Sequence, residues 1–241
     1  MDPFTKPSET HRSASPNHIN QHDLKIALQS ALAAGLCFGL PAGLFFWVMI
    51  VQRWAPTTPG YNLLNFLQAH LVPPVILELL GAFCWGLCLS RISGYRQWWW
   101  LSVATMAGVW AGNFPFYSGW LDSWVRGAAL PNLSLHVRFV LILGLTVLFV
   151  TTSTGLLLGL TIRNWKASLI LAGSTGLASV SAALVTLMIL DRLGIRVGSG
   201  NIAMPKATAA ATMAAALAGG AILGVLFSRY VRKGSSKYSA G

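Results

Sequence analysis

The sequence predicts an all-α membrane protein, a bundle of six transmembrane helices, and three observations lead there. Apolar residues make up 54% of the 241-residue chain and charged residues only 10%, against about 25% charged in soluble domains. The mean hydropathy is +0.60. Apolar runs near the length needed to cross hydrocarbon, about 20 residues, recur six times. A chain with so few charges cannot cover its own surface in water, so the bilayer must replace most of the polar exterior.

The expected elements run as follows. Residues 1–24 are polar, with Pro3, Pro7, Pro16, His11, His18 and His22, the composition of a disordered tail. The apolar run behind them is too long for the core of a signal peptide, and no small-residue cleavage site follows it. Residues 25–227 form the membrane domain, with spans expected at 26–51, 67–89, 98–116, 137–162, 167–190 and 207–227. The third begins on Trp98, Trp99 and Trp100. Asn113 and Pro115 interrupt it near its end, where proline removes a backbone donor and is expected to kink or stop the helix. Residues 228–241 read as a basic tail.

Between the third and fourth spans, Trp120 and Trp124 are four apart, as are Asp122 and Arg126. On a helix these would make one aromatic and one charged face, a short helix lying in the membrane interface. An irregular loop carrying interfacial tryptophans accounts for the same residues. Val51-Gln52-Arg53-Trp54 resembles Ile162-Arg163-Asn164-Trp165 at the ends of spans one and four, a short echo of the inverted repeats of transporters.

The 17 Lys and Arg against 6 Asp and Glu give a net charge of +11. In a membrane chain these cations are topology signals and lipid headgroup contacts, not a nucleic-acid surface. Eleven lie on one side of the six-span arrangement and six on the other. The richer side is expected to be cytoplasmic, with both termini inside and the protein in the cell (inner) membrane.

The strongest local signal is the spacing of small residues. Gly35, Gly39 and Gly43 form a GxxxGxxxG ladder in the first span. Gly108 and Gly112, Gly155 and Gly159, and Gly220 and Gly224 repeat the shorter motif. Lipid tails are as apolar as leucine, so helix association depends on close backbone approach, which glycine permits. Tight packing inside the bundle is the expected use, ahead of a dimer interface.

Glu78 is the acid closest to the middle of an expected span, where a charge costs roughly 2.5–3.5 kcal/mol on insertion scales. His70, Pro74 and Glu78 recur at spacing four and share a face if the helix survives Pro73 and Pro74. Such a carboxyl is neutral, paired with Arg138 or His136, or used in proton or cation handling. His70, Asn113, Tyr117, Asp122, His136 and Arg138 gather toward the outer side, as a vestibule or as ordinary polar groups at helix ends. His70 and His136 are candidates for holding haem, a chlorin or a simple metal, and they carry no motif. Cys84 and Cys88 share a helical face too far apart for a mutual disulfide; redox or metal use would need a partner from another helix. Asn132-Leu133-Ser134 matches a glycosylation sequon. No P-loop, HExxH, GxSxG or dinucleotide-binding motif is present in the sequence.

Three function classes follow. The first is a non-enzymatic membrane subunit that packs into or organises a larger complex, with lipid and other membrane subunits as partners and no nucleic acid. The second is a small secondary transporter or channel coupled through Glu78. The third is an intramembrane cofactor-binding or redox protein, whose cofactor the residues do not identify.

Overall fold

A backbone in hydrocarbon must satisfy its own hydrogen bonds, so long apolar runs become helices. The computed structural model describes residues 21–41, 72–127, 135–195 and 203–238, and every element among them is helical. Helix α1, Gln21–Ala34, continues into a π-helical turn at Gly35–Gly39. Then follow α2 (Val72–Ser93), α3 (Trp98–Tyr117), the short α4 (Trp120–Gly127), α5 (Leu135–Thr161), α6 (Trp165–Arg192) and α7 (Ala203–Tyr238).

Among the described residues, four stretches are long and apolar enough to cross a membrane: Val75–Ser93, Val137–Thr161, Trp165–Arg192 and Lys206–Lys233. The expectation of six is therefore met in four. The described part of the first span opens on the polar Gln21, His22 and Asp23, and residues 42–51 lie outside the described set. Helix α3 has the length, but its tryptophans, Asn113 and Pro115 dilute its apolar average.

The prolines act differently from what was expected at one site. Pro115 does not end α3, which runs on to Tyr117. The chain closes it when the Ser118 amide donates to the carbonyls of Phe114 and Phe116. Pro73 and Pro74 fall in the first turn of α2, where amide donors have no intrahelical acceptor, so losing them costs little. At the other end of the chain, α7 passes without a break from its apolar stretch into the basic segment.

Helices adjacent in sequence are adjacent in space. The order around the bundle is α1, α2, α3, α5, α6, α7, and α7 returns to α1. Small residues set these contacts. A Cβ placed at Gly108 would lie 2.5 Å from the Thr154 Cα of α5, and one at Gly112 would collide with the Val150 backbone. Gly155 and Gly159 stand in the same way against the Ala172 and Ser168 backbones of α6. Gly220 and Gly224 face Ala34 and Ser30 of α1, while Gly35 and Gly39 face Leu217 and Met213 of α7. Gly43 lies outside the described residues. Four close contacts have no GxxxG partner to announce them: Gly81 against the Cys37 carbonyl, Gly86 against Ser102 of α3, Gly176 against the Thr152 hydroxyl, and Gly219 against the Ser179 hydroxyl.

One end of the bundle is sealed by Trp85, Leu89, Leu101, Leu158, Leu171, Leu223 and Phe227, drawn from five helices. The Tyr95 hydroxyl, from the α2–α3 turn, donates to the Thr161 carbonyl at 3.1 Å, and its ring meets Phe227 edge-on at 5.9 Å. Toward the other end the core is thinner: Val147, Ala183 and Leu187 pack on the alanines Ala207, Ala211 and Ala215. Between α5 and α6 the turn is three residues long. Arg163 takes φ +52° there, and Asn164 caps α6 by accepting from the Ala167 amide at 3.1 Å.

Helix α4 forms where an interfacial helix was one of two expectations. Leu121 and Val125 are buried at 1% and 4% exposure, while Trp120 and Trp124 stack with ring centroids 6.4 Å apart on the open face. The side chains of Asp122 and Arg126 lie outside the described set.

The glycine contacts give a paired expectation. Gly112→Leu should force α3 from α5, with a loss in the range of about 1–3 kcal/mol for overpacking, read as a lower melting temperature in detergent. Gly173→Leu should leave melting unchanged, because nothing lies within 4 Å of a Cβ at that position. Equal loss in both variants would refute backbone contact as the cause.

Candidate functional site

Two polar constellations stand out in a chain with so few charges. The first is built on Glu78. Within Val72–Ser93 this residue falls in the second turn rather than mid-helix, level with the end of α3. The Asn113 side-chain amide donates to its Oε2 at 2.9 Å. The Tyr117 hydroxyl donates to the same oxygen at 2.5 Å. Asn113 and Tyr117 are four apart, so one face of α3 carries both donors to one acceptor on α2. Asn113, which looked like a helix interruption, is buried and bound. The same helix pair is tied deeper in by Thr105, whose hydroxyl lies 2.7 Å from the Ala82 carbonyl.

Of the other candidate residues, Arg138 sits in the first turn of α5, half-buried. The two donors described at Glu78, Asn113 and Tyr117, are both neutral. His70 and the side chain of His136 lie outside the described residues. Cys37, Cys84 and Cys88 are free thiols. Among the described residues, no three His, Cys, Asp or Glu side chains converge as a metal site would require.

The second constellation joins the first helix to the last. Asp23, in the first turn of α1, accepts from Arg229 Nη2 at 2.7 Å and Nε at 3.2 Å on one oxygen. Its other oxygen accepts from Arg232 Nη2 at 3.0 Å. The hydrogen bond from Arg229 holds the Asp23 carboxyl below its usual range, against a smaller opposing effect of burial. Sequence reading missed this site. Asp23 was counted with the polar tail and the arginines with the basic tail, and 206 residues separate the partners.

Comparison with family models, with curated proteins and with solved structures returns no match. The arrangement is therefore read on its own chemistry. Glu78 with its two donors can tie α2 to α3, and it offers a carboxylate near one end of the bundle. The Asp23 clasp fixes α1 to α7 and holds two guanidinium groups at a helix end.

Two outcomes follow. Tyr117→Phe should cost about 0.6 kcal/mol, the average for side-chain hydrogen bonds in membranes. Glu78→Leu should cost more, since it strands the Asn113 amide, and Glu78→Gln should keep most of the tie. Thermal melts in mild detergent check the order, and Glu78→Leu melting like wild type would refute the tie. For Asp23 the folded-state value is depressed, so its stabilisation is present above the ordinary carboxylate range, about pH 3.9, and is lost as pH falls through the lower folded value. Wild type should therefore lose stability in acid relative to Asp23→Asn. Parallel acid melts of the two proteins test this.

Proposed function

We propose that this protein is a non-enzymatic integral membrane subunit that packs into a larger membrane complex, and that α3 carries its docking face. The reading completes the bundle: α1 and α3 cross the bilayer with the four apolar helices, making six spans, and both termini lie on the cytoplasmic side. Support for α3 comes from its place in the ring, closely packed against α2 on one side and α5 on the other. The eleven-to-six division of cations supports the orientation.

The observation that carries the docking face is Trp110. Twelve residues past Trp98 place it about 18 Å along a helix about 30 Å long, far from either end of α3. Tryptophan favours the membrane interfaces, where its N–H finds water or headgroups. Trp110 instead points outward at mid-depth, 54% exposed. In lipid that indole N–H would have no acceptor, a costly state in hydrocarbon. Val103 and Phe114 extend the same exposed face, and the Phe114 ring lies 5.7 Å from Trp110. The exposed Ala107 and Ala111 leave hollows between these larger side chains. A helix from another subunit that supplies a carbonyl or hydroxyl acceptor fits this surface.

The transporter reading with Glu78 as coupling group has less behind it, since both Asn113 and Tyr117 already donate to that carboxylate.

Site-specific photocrosslinking in native membranes tests the docking face. A crosslinking residue at Trp110 should capture one discrete membrane protein, while the same residue at the exposed Leu177 of α6 should capture lipid. Lipid capture at both positions would sink the proposal.

A further inference from the structure

Away from α3, a groove of about 520 Å³ opens on the surface where α1, α6 and α7 meet. Ala27 of α1, Ser174, Ala178 and Ser181 of α6, and Val225 of α7 line it, and Arg229 closes one end. The walls are shallow because so many of these side chains are small. The groove runs along the helix axes for about 10–12 Å, the rise of seven or eight residues.

The end of the groove is chemically unlike its length. Arg229 spends Nε and Nη2 on Asp23, and its Nη1 amino group makes no hydrogen bond among the described residues. The clasp therefore holds the guanidinium in place while leaving donors pointing elsewhere. Two guanidinium groups bond one carboxylate there. Lys25 on α1 and Lys233 on α7 stand at the same end of the bundle. An apolar channel that ends in an oriented, incompletely satisfied arginine matches an acyl chain with an anionic head.

We propose that this groove is a binding site for one anionic phospholipid. One acyl chain lies along Ala178, Ser181 and Val225, and the phosphate accepts from Arg229 at the end where both termini leave the bundle. Asp23 acts as the positioning residue that orients Arg229. The site is independent of the α3 docking face, because it lies on different helices.

Native mass spectrometry of the full-length protein, delipidated in mild detergent and titrated with phosphatidylglycerol or phosphatidylcholine of identical chains, tests the proposal. One phosphatidylglycerol should be retained at least about fivefold better, the factor expected from one cation near an anionic headgroup. Raised salt should shrink that preference in the wild-type protein. Ala178→Phe fills the groove without touching the clasp and should remove the bound lipid. Arg229→Gln should make the two lipids equivalent. Equal retention of the two lipids by wild type would overturn the proposal, and so would undiminished binding in Ala178→Phe. Competition by soluble glycerol phosphate at headgroup concentration would also overturn it, since the chain would then contribute nothing.

Discussion

Burial of apolar surface, which holds most proteins together, has little leverage here, because a leucine leaving lipid for a helix contact exchanges one apolar surroundings for another. What remains is the number of atoms that can touch, and that depends on how near two backbones come. The contacts between α3 and α5 and between α5 and α6 are of this kind, glycine directly against a neighbour's Cα or amide. Dispersion is individually tiny but summed over such a seam becomes large. The glycines thereby fix where every other side chain sits, including the polar ones.

The placement of Glu78 illustrates the dependence. Its two donors come from one face of α3, and α3 reaches α2 closely enough because Gly86 admits the Ser102 backbone. Thr105 then adds a contact to the Ala82 carbonyl. With helices a few ångströms further apart, neither donor would reach the carboxylate. The acid is tolerable because the seam beside it is tight. The clasp at Asp23 rests in the same way on the Gly220 and Gly224 contacts with α1, which bring the first and last helices into register.

Whereas the aromatic spacing at α4 left a helix and a loop both open, the helical class and four of the six expected apolar spans were legible because each rests on a local pattern of run length and period. Gly108, Gly112, Gly155 and Gly159 could be singled out for the same reason, although which neighbour each meets could not. Gly86 and Gly219 escaped notice since a glycine opposite a serine leaves no repeat within its own helix. Asn113 was misjudged for a related cause. An amide in an apolar run looks like an interruption until the acid on the next helix is seen to need it. Asp23 and Arg229 show the limit most plainly. Each lies in a segment that reads as tail, and only the meeting of the two chain ends turns loose charges into a clasp. How many helices cross the membrane depends on average apolarity, and α3 falls short on that measure because it spends its length on tryptophan, glycine and asparagine.

A ring that closes by α1 meeting α7 has a direction in time. Synthesis delivers the first helix long before the last. At about 5–20 residues per second the 168 residues between Ala34 and Ala203 take roughly eight to thirty-five seconds. Throughout that interval the face of α1 that carries Ser30 and Ala34 has no permanent neighbour, and Asp23 waits without its arginines. The final helix is then more than one element among several. Its arrival converts an open row of helices into a closed one, so a ribosome that stops before Ala203 leaves the earlier helices packed and none of the closure made.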